Sequence, residues 1–288
     1  MRTIFITLFF SFTIGAIAQN SDTTQEVQYT YATFKGTRLV NYHTIETLNK
    51  GSLEFRIAHR FGTLSSGLSN FYGLDGPASI QLRLDYAITD RLMIGLGRAS
   101  DRKLVDAFVK YRWLRQTWEN EMPISLTILA SANVFTERNT LNRYDNFSSR
   151  VAYFSSVMVA RKFNTKFSAQ LSPMLVHYNL VEKFDDKNDM LFVAGQARYK
   201  FTRSTALTAE YSFNALPYAR DMEPFKNVLS LGFDIETGGH VFQVFLTNGF
   251  SINEVLTLPY TNGSWSNNEM RIGFNISRTF ALGKGGSW

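Results

Sequence analysis

Hydrophobic and polar residues alternate along most of the chain, and the alternation has a period of two. The stretch GSLEFRIAHRFG at residues 51–62 shows it first, with apolar side chains at Leu53, Phe55, Ile57 and Phe61. Side chains of a β-strand point alternately to the two faces of a sheet, so this stretch predicts a strand with one apolar and one charged face. No helical period competes with it over a comparable length.

The same alternation recurs along the chain and predicts twelve strands. Most have the length that a tilted strand needs to cross a bilayer, about 9 to 11 residues. Long and short connections alternate with one inversion, and transmembrane barrels have short periplasmic turns and longer outer loops. The sequence therefore predicts an all-β fold, a closed antiparallel transmembrane β-barrel of about 12 strands. The predicted strands are 52–61, 78–88, 91–99, 104–115, 123–135, 149–163, 166–179, 190–201, 205–215, 226–236, 240–249 and 268–280.

In such a barrel the apolar face of residues 51–62 meets outer-membrane lipid, and closure of the sheet pairs every backbone group that lipid could not. Aromatic residues make up 15% of the chain, a high share for a soluble domain, and they suit two girdles at the membrane interfaces. The alternative is a secreted, soluble β-sandwich with its apolar faces inside. The faces of the strand at 149–163 are left unassigned, because apolar and polar residues occur on both.

Residues 1–18 are predicted to be a secretory signal peptide. Arg2 is followed by an uncharged apolar run, and Ala16 and Ala18 have the spacing that a signal peptidase recognises. An N-terminal transmembrane anchor is the alternative, although the run is short for one. The chain has no cysteine, which excludes a lipoprotein anchor, a disulfide scaffold and a cysteine metal site. The expected location after cleavage is the outer membrane of a Gram-negative bacterium.

The mature chain is predicted to have three parts. Residues 19–50 precede the first strand, residues 51–280 form the barrel, and residues 281–288 are a C-terminal tail. The first part holds too many apolar residues for a free tail, so we expect it to fold into the lumen as a plug or to dock a periplasmic protein partner. A flexible periplasmic tail is the alternative.

Several stretches of the chain carry a family resemblance. They are TFKGTRLVNYHTIETL, EFRIAHRFG, NFYGLDGPASIQLRLDYAITDRLMIGLGRAS, VKYRWLRQ and GGHVFQVFLTN. Together they resemble an uncharacterised outer-membrane β-barrel family of Bacteroidota-type bacteria, a domain of unknown function, over most of the mature chain. The resemblance implies an outer-membrane barrel and names no activity or catalytic residue.

The polar face of the strands is expected to line the lumen, and its charged residues are candidate solute-binding groups. Charges inside a barrel are stable only where they are paired or hydrated. They line a water-filled passage for small polar solutes, or they form a paired network that closes the barrel. A slight excess of basic residues favours anionic solutes. The predicted lumen-lining residues are Glu54, Arg56, Arg60, Arg83, Asp85, Asp106, Lys110, Arg112, Arg198, Lys200, Glu210, Asp234, Glu236 and Arg271.

No catalytic, cofactor or metal motif stands out. GLGRAS at 95–100 lacks the third glycine of a dinucleotide fingerprint, and GKGGS at 283–287 lacks the spacing of a phosphate loop. The four histidines have no metal-ligand spacing, and DDKND at 185–189 lacks the residues that complete a calcium site. We therefore expect no cofactor and no metal. The charges, +6 in total, are mixed along the chain, which argues against a nucleic-acid partner.

These patterns favour a narrow passive channel for small polar or anionic solutes. The alternative is a closed barrel that serves as a structural or docking component of an envelope complex. A third hypothesis is a hydrolase or acyltransferase at one rim. It rests on His59, which would need a Ser and an Asn or Asp beside it, and an interfacial histidine is the simpler explanation of the position. We expect the protein not to be an enzyme.

Overall fold

The chain forms a closed barrel of twelve antiparallel strands in the computed structural model, which describes residues 27–140, 142–181, 186–216 and 225–282. Each strand pairs with its neighbours in sequence, and β1 pairs with β12. The predicted signal peptide, 1–18, and most of the predicted tail lie outside the described residues. The strands are β1 (Ser52–Thr63), β2 (Ser79–Ala87), β3 (Leu92–Ala99), β4 (Leu104–Leu114), β5 (Ser125–Phe135), β6 (Val151–Lys162), β7 (Phe167–Tyr178), β8 (Asp189–Lys200), β9 (Thr205–Asn214), β10 (Val228–Thr237), β11 (His240–Thr247) and β12 (Arg271–Ala281).

The barrel confirms the predicted fold class and excludes the soluble sandwich. The largest difference in a strand end is at β12, predicted from residue 268 and found from Arg271. The faces are also as predicted: Leu82 and Leu84 are 46% and 48% exposed on the outside, whereas Gln81 and Arg83 are each 1% exposed inside. Among the described residues, no helix is long and apolar enough to cross a membrane.

The two ends of the barrel differ in their connections. One end, which we call the short-turn end, carries the connections 88–91, 163–166, 201–204 and 238–239, together with the longer connection 115–124. The other, the long-loop end, carries the connections 64–78, 136–150, 179–188, 215–227 and 248–270, together with the short turn 100–103. The predicted alternation of loop lengths therefore holds, and its inversion lies on either side of β4.

Strand β6, whose faces the sequence left open, turns large apolar side chains into the lumen. Phe154 and Met158 are buried, whereas Tyr153 and Val157 point outwards and are 47% and 41% exposed. Inward apolar side chains continue on the strands around it and form an apolar arc of the lumen wall. The apolar arc consists of Leu129 on β5, Phe154 and Met158 on β6, Met174 and Val176 on β7, and Met190 and Phe192 on β8.

Two segments fill the lumen, one from each end. From the short-turn end, residues 27–50 lead into the barrel, and we call them the inserted segment. Within it, residues 37–44 fold back as a hairpin, which we call the plug hairpin. Its two arms are joined by the bond from the Thr44 N–H to the Thr37 carbonyl, at 3.0 Å, and residues 37–45 are all buried. From the long-loop end, the connection between β11 and β12 enters and forms helix α1 (Glu254–Tyr260), capped by Asn253, which accepts from the Val255 N–H at 3.0 Å.

Candidate functional site

The charged residues predicted to line the lumen all lie on strand positions that face inwards. Eleven are buried, and three near the barrel ends are half-buried. The half-buried ones are Lys200, Glu236 and Arg271. Twelve of the fourteen fall into two sets: those that pair within the wall and those that bind the plug hairpin and the residues beside it. Lys200 and Arg271 belong to neither set. Their role in solute binding stays a prediction.

The first set is paired across the wall. The Arg83 guanidinium lies 2.6 Å from the Asp106 carboxylate and 3.5 Å from that of Asp85. Arg83 is on β2 and Asp106 is on β4, so the side chain must reach across β3. The side chain crosses β3 at Gly97, where a Cβ atom would collide with both partners. The glycines of the GLGRAS stretch thus make room for buried charged side chains.

A second wall pair joins Arg198 on β8 to Asp234 on β10, at 3.6 Å. Gln243 on β11 also donates to Asp234 at 2.9 Å. Each of these buried charges therefore has an opposite charge or a polar group beside it, as a low-dielectric interior requires.

The second set binds the plug hairpin, and at its tip the wall supplies the cations. Arg56 and Arg60 of β1 donate to the Val40 carbonyl at 3.4 and 3.2 Å, and Asn275 of β12 donates to the same oxygen at 3.2 Å. Arg60 also donates to the Asn41 side-chain carbonyl at 3.2 Å. One carbonyl of the hairpin is thus held by donors from the first and the last strand.

Nearer the short-turn end, two cations of β4 hold the base of the inserted segment. Lys110 donates to the carbonyls of Thr37 and Glu46 at 3.2 and 2.6 Å. Arg112 donates to the Ile45 carbonyl at 3.1 Å and to the Glu46 carboxylate at 2.6 Å. These bonds to charged donors are stronger than bonds between neutral groups.

An acidic residue on the opposite wall holds the N–H groups of the same hairpin. The Glu210 carboxylate accepts from the backbone N–H groups of Val40, Asn41 and Tyr42 at 3.4, 2.9 and 3.3 Å. The Asn41 side-chain amide donates to it at 2.8 Å. Glu54 accepts from the Thr37 hydroxyl at 2.7 Å, and Glu236 pairs with Lys35.

The two inserts meet at a buried polar junction. Arg38 of the plug hairpin donates to Glu254 of α1 at 2.6 Å, and it also lies 2.6 Å from the Nε2 atom of His43. Burial and, next, the neighbouring Arg38 charge hold the pKa of His43 well below its ordinary value, so the ring is neutral and accepts from Arg38. The junction therefore links the two inserts inside the barrel.

Helix α1 is held mainly by apolar contacts. Val255, Leu256 and Leu258 are buried in the same cluster as the apolar arc. The Tyr178 ring packs edge-on against Tyr260, with centroids 5.9 Å apart. Its polar contacts include the Arg38–Glu254 pair, the Tyr178 hydroxyl donating to the Val255 carbonyl, and the Asn253 amide donating to Asn133 at 3.0 Å.

A cavity of about 630 Å³ lies at the short-turn end, between the inserted N-terminal segment and the wall. Glu46, Arg112 and Arg115 line it on one side, and Glu236 lines it on the other. It reaches the surface at Asn49 and Gly239, which are both exposed. This cavity is the space in the described residues from which a solute could approach the lumen charges.

The hypothesis of rim chemistry gains no support from the geometry. His59 stacks on Phe274, with ring centroids 5.1 Å apart, and its Nδ1 atom has no hydrogen-bond partner among the described residues. The described part of the chain holds no group of three His, Cys, Asp or Glu side chains that could bind a metal. The candidate calcium stretch at 185–189 begins outside the described residues.

Sequence reasoning missed the residues of the inserts that meet the lumen charges. Arg38, Asn41 and Glu46 lie in a segment without alternation, and Glu254 lies in the connection between β11 and β12. The available signal was composition: a segment ahead of the barrel with apolar and charged residues closely mixed, which led only to the expectation of a plug or a docking segment.

Comparisons with known proteins agree with the barrel. A family model described as "Membrane bound beta barrel domain (DUF5777)" matches residues 34–280, a range that includes the plug hairpin and α1 as well as the strands. No curated protein sequence matches the chain.

Among solved structures, the chain is similar to an outer membrane channel from Pseudomonas putida F1, with 16% identity, a TM-score of 0.51, and coverage of 82% of this chain and 98% of that one. It also matches a KdgM porin at 10% identity and a TM-score of 0.47, covering 80% of this chain and 99% of that one. A NanC porin matches at 8% identity and a TM-score of 0.46, covering 79% and 98%. At these identities the likeness concerns the fold.

Proposed function

This chain belongs to the family of membrane-bound β-barrel domains (DUF5777), and from that premise we propose that it is an outer-membrane channel for small solutes that its own N-terminal segment closes. On this proposal the short-turn end faces the periplasm and the long-loop end faces outwards, as in barrels with short periplasmic turns. The proposal includes signal-peptide cleavage and an origin in Bacteroidota-type bacteria, as the sequence suggests.

The observation that carries the proposal is the kind of contact that closes the lumen. The plug hairpin is held by hydrogen bonds to Arg56, Arg60, Lys110 and Glu210 of the wall, and the residues directly after it are held by Arg112. Buried ion pairs can often be replaced by well-packed apolar residues without loss of stability, so a permanently sealed barrel has no need of them. Charges at membrane depth are instead typical of a path for polar solutes.

The charge balance of the lumen supports small polar or anionic solutes. Eight of the fourteen predicted lumen residues are basic and six are acidic. Once the plug hairpin and residues 45–47 leave, Arg56, Arg60, Lys110 and Arg112 lose the oxygen atoms of that segment. Arg83 and Arg198 keep their acidic partners in the wall. The open lumen would therefore present more unpaired positive than negative charge.

A docking barrel is the second candidate, and one observation favours it. At the short-turn end, the backbones of residues 28–30 and 116–118 are paired. Two aromatic side chains there are largely exposed: Tyr31, at 76%, and Trp118, at 63%. A periplasmic protein could bind this surface while the lumen stays closed. Such a barrel would not conduct ions.

A reversible disulfide separates the two candidates. The side chains of Asn41 and Ser230 are hydrogen-bonded at 2.8 Å, so Asn41→Cys with Ser230→Cys places two thiols close together in a chain that has no other cysteine. Loss of free thiol on oxidation checks that the bridge between the plug hairpin and β10 has formed. In planar bilayers we expect silence when the pair is oxidised and discrete current steps after reduction. The two single variants, which cannot form the bridge, are the controls. Silence of the reduced pair and of both controls would overturn the channel in favour of the docking barrel.

A further inference from the structure

The Glu46 side chain occupies a ready-made carboxylate site. Its Oε2 atom accepts from Arg112 at 2.6 Å, and its Oε1 atom accepts from the Phe34 backbone N–H at 3.1 Å. The Lys110 ammonium lies next to it, bound to the Glu46 carbonyl at 2.6 Å. One carboxylate thus receives a guanidinium and a backbone donor on separate oxygens, beside a second cation.

The same site adjoins the cavity at the short-turn end. Glu46 and Arg112 both line that cavity, and so does Arg115. The Arg115 guanidinium stacks on the Tyr29 ring at 4.2 Å, and its buried Nε atom has no hydrogen-bond partner among the described residues. Arg115 therefore adds another basic side chain to the wall of the cavity that leads to the Glu46 carboxylate.

The other lumen cations continue this arrangement. Lys110, Arg56 and Arg60 bind oxygen atoms of the inserted segment at successively greater distance from the short-turn end. Residues of the segment, rather than of the wall, supply these oxygens. The inserted segment thus occupies the positions that the oxygens of an anionic solute would take.

Resting on the channel function proposed above, we infer that the cavity binds small carboxylates at Arg112, Lys110 and Arg115, and that Glu46 is a built-in competitor whose displacement frees the plug hairpin. A carboxylate arriving from the short-turn end would take the Arg112 guanidinium from Glu46. The base of the segment would then lose its ionic contact with β4, and the lumen would open to the solute that displaced it.

The competition sets the expected concentration range. A group tethered by a short flexible segment competes at an effective concentration on the order of millimolar. Free carboxylate should therefore act on the order of millimolar and not on the order of micromolar. A plain anion such as chloride, which cannot bind two donors through separate oxygens, should act weakly.

The test is the open probability of the full-length protein in planar bilayers, with succinate added to one side at constant ionic strength against chloride. Succinate should raise the open probability from the short-turn side only. Glu46→Gln should raise the open probability without succinate and remove the response to it, and Arg112→Gln should also remove the response. Glu137→Gln is the matched control: it breaks another Arg–Glu pair, that with Arg102 at the long-loop end, away from the cavity and the inserted segment, and should keep the succinate response.

A binding measurement keeps this inference separate from the channel function. By calorimetry in detergent, succinate should bind Glu46→Gln at least tenfold more tightly than the unaltered chain, because the competitor is gone. Equal binding by the two proteins would overturn the inference. If the reduced Asn41–Ser230 pair conducts but succinate changes nothing, the carboxylate site fails and the channel stands. If no variant conducts although succinate binds as expected, the channel fails and the site stands.

Discussion

The two segments that fill the lumen are held in opposite ways. The plug hairpin is bound through its backbone, with Glu210 on its N–H groups and arginines on the Val40 carbonyl. Helix α1 is bound through apolar side chains such as Leu256 and Leu258, which are 3% and 5% exposed. Charged residues of β1, β4 and β9 make most of the polar contacts. Uncharged side chains such as Gln170 on β7 and Gln196 on β8 add others, and the apolar contacts lie on β5 to β8.

The difference shows which insert can leave. Water or a polar solute can replace a hydrogen bond to the wall, so the net stability of each such bond to a charged group is about 1.5–3 kcal/mol. An apolar side chain that leaves the cluster gains nothing in return and loses about 25 cal/mol for each Å² exposed. The plug hairpin is therefore suited to move, and α1 is suited to stay.

The largest expected effect concerns the apolar contacts that hold α1. Leu256→Ala should lower the free energy of unfolding by about 2–5 kcal/mol, because it leaves a cavity in a packed cluster. Thermal unfolding in detergent measures it, and the conductance should stay that of the unaltered protein. A variant of normal stability that conducted freely would mean that α1 is the movable closure.

On the polar side, Glu210→Ala should release the tip of the plug hairpin. It removes the acceptor of three backbone N–H groups and of the side-chain amides of Asn41 and Gln196, which costs about 3 kcal/mol or about 100-fold in the occupancy of the closed state. Hydrogen–deuterium exchange of the amides at 40–42 should accelerate accordingly. Glu210→Gln retains one oxygen and should give a smaller change. Unchanged exchange in both variants would show that the wall does not hold the tip.

A smaller effect is expected at the cap of α1. Asn253→Ala removes the acceptor of the Val255 N–H and the bond to Asn133, and should cost about 1 kcal/mol. The thermal midpoint of the barrel should fall slightly, with no change in exchange at 40–42. Faster exchange there would show that the two inserts are coupled through their junction.

The smallest expected effect is a pH dependence of the junction. The pKa of His43 is held below its ordinary value of 6.5 by burial and by Arg38, so released His43 binds a proton more readily than buried His43. Acid below about pH 6.5 should therefore favour the open state, and higher pH the closed state. His43→Gln keeps an acceptor for Arg38 and should remove this dependence of the open probability. The charged groups around His43 are Arg38, Glu254, Lys110, Arg83 and Arg56; a dependence that survives in the variant would belong to them.

The strands were predictable because their two faces meet different surroundings. β2 alternates cleanly, since Leu82 and Leu84 meet lipid and Arg83 and Asp85 meet polar groups. β6 was not assignable, because Phe154 turns into the lumen and is covered there by the inserts while its outward neighbours are also apolar. Where the inserts fill the lumen with apolar groups, the inner and outer faces of a strand are both apolar, and the alternation of apolar and polar residues is lost.

The site was only partly predictable. The positions of the lumen charges follow from strand parity, but their partners do not. Residues 37–45 are buried on every side, so no periodicity marks them. The partner of Arg38 is Glu254, 216 positions away in the sequence, and no local pattern connects the two.

The position of the Val40 carbonyl has a consequence for assembly. It accepts hydrogen bonds from Arg60 of β1 and from Asn275 of β12, the two strands that must meet last for the sheet to close. The hairpin precedes every strand in the chain and is therefore present while the sheet curls. We expect it to act as a template for the final seam, so that a newly made barrel enters the membrane already sealed and never leaks while it matures.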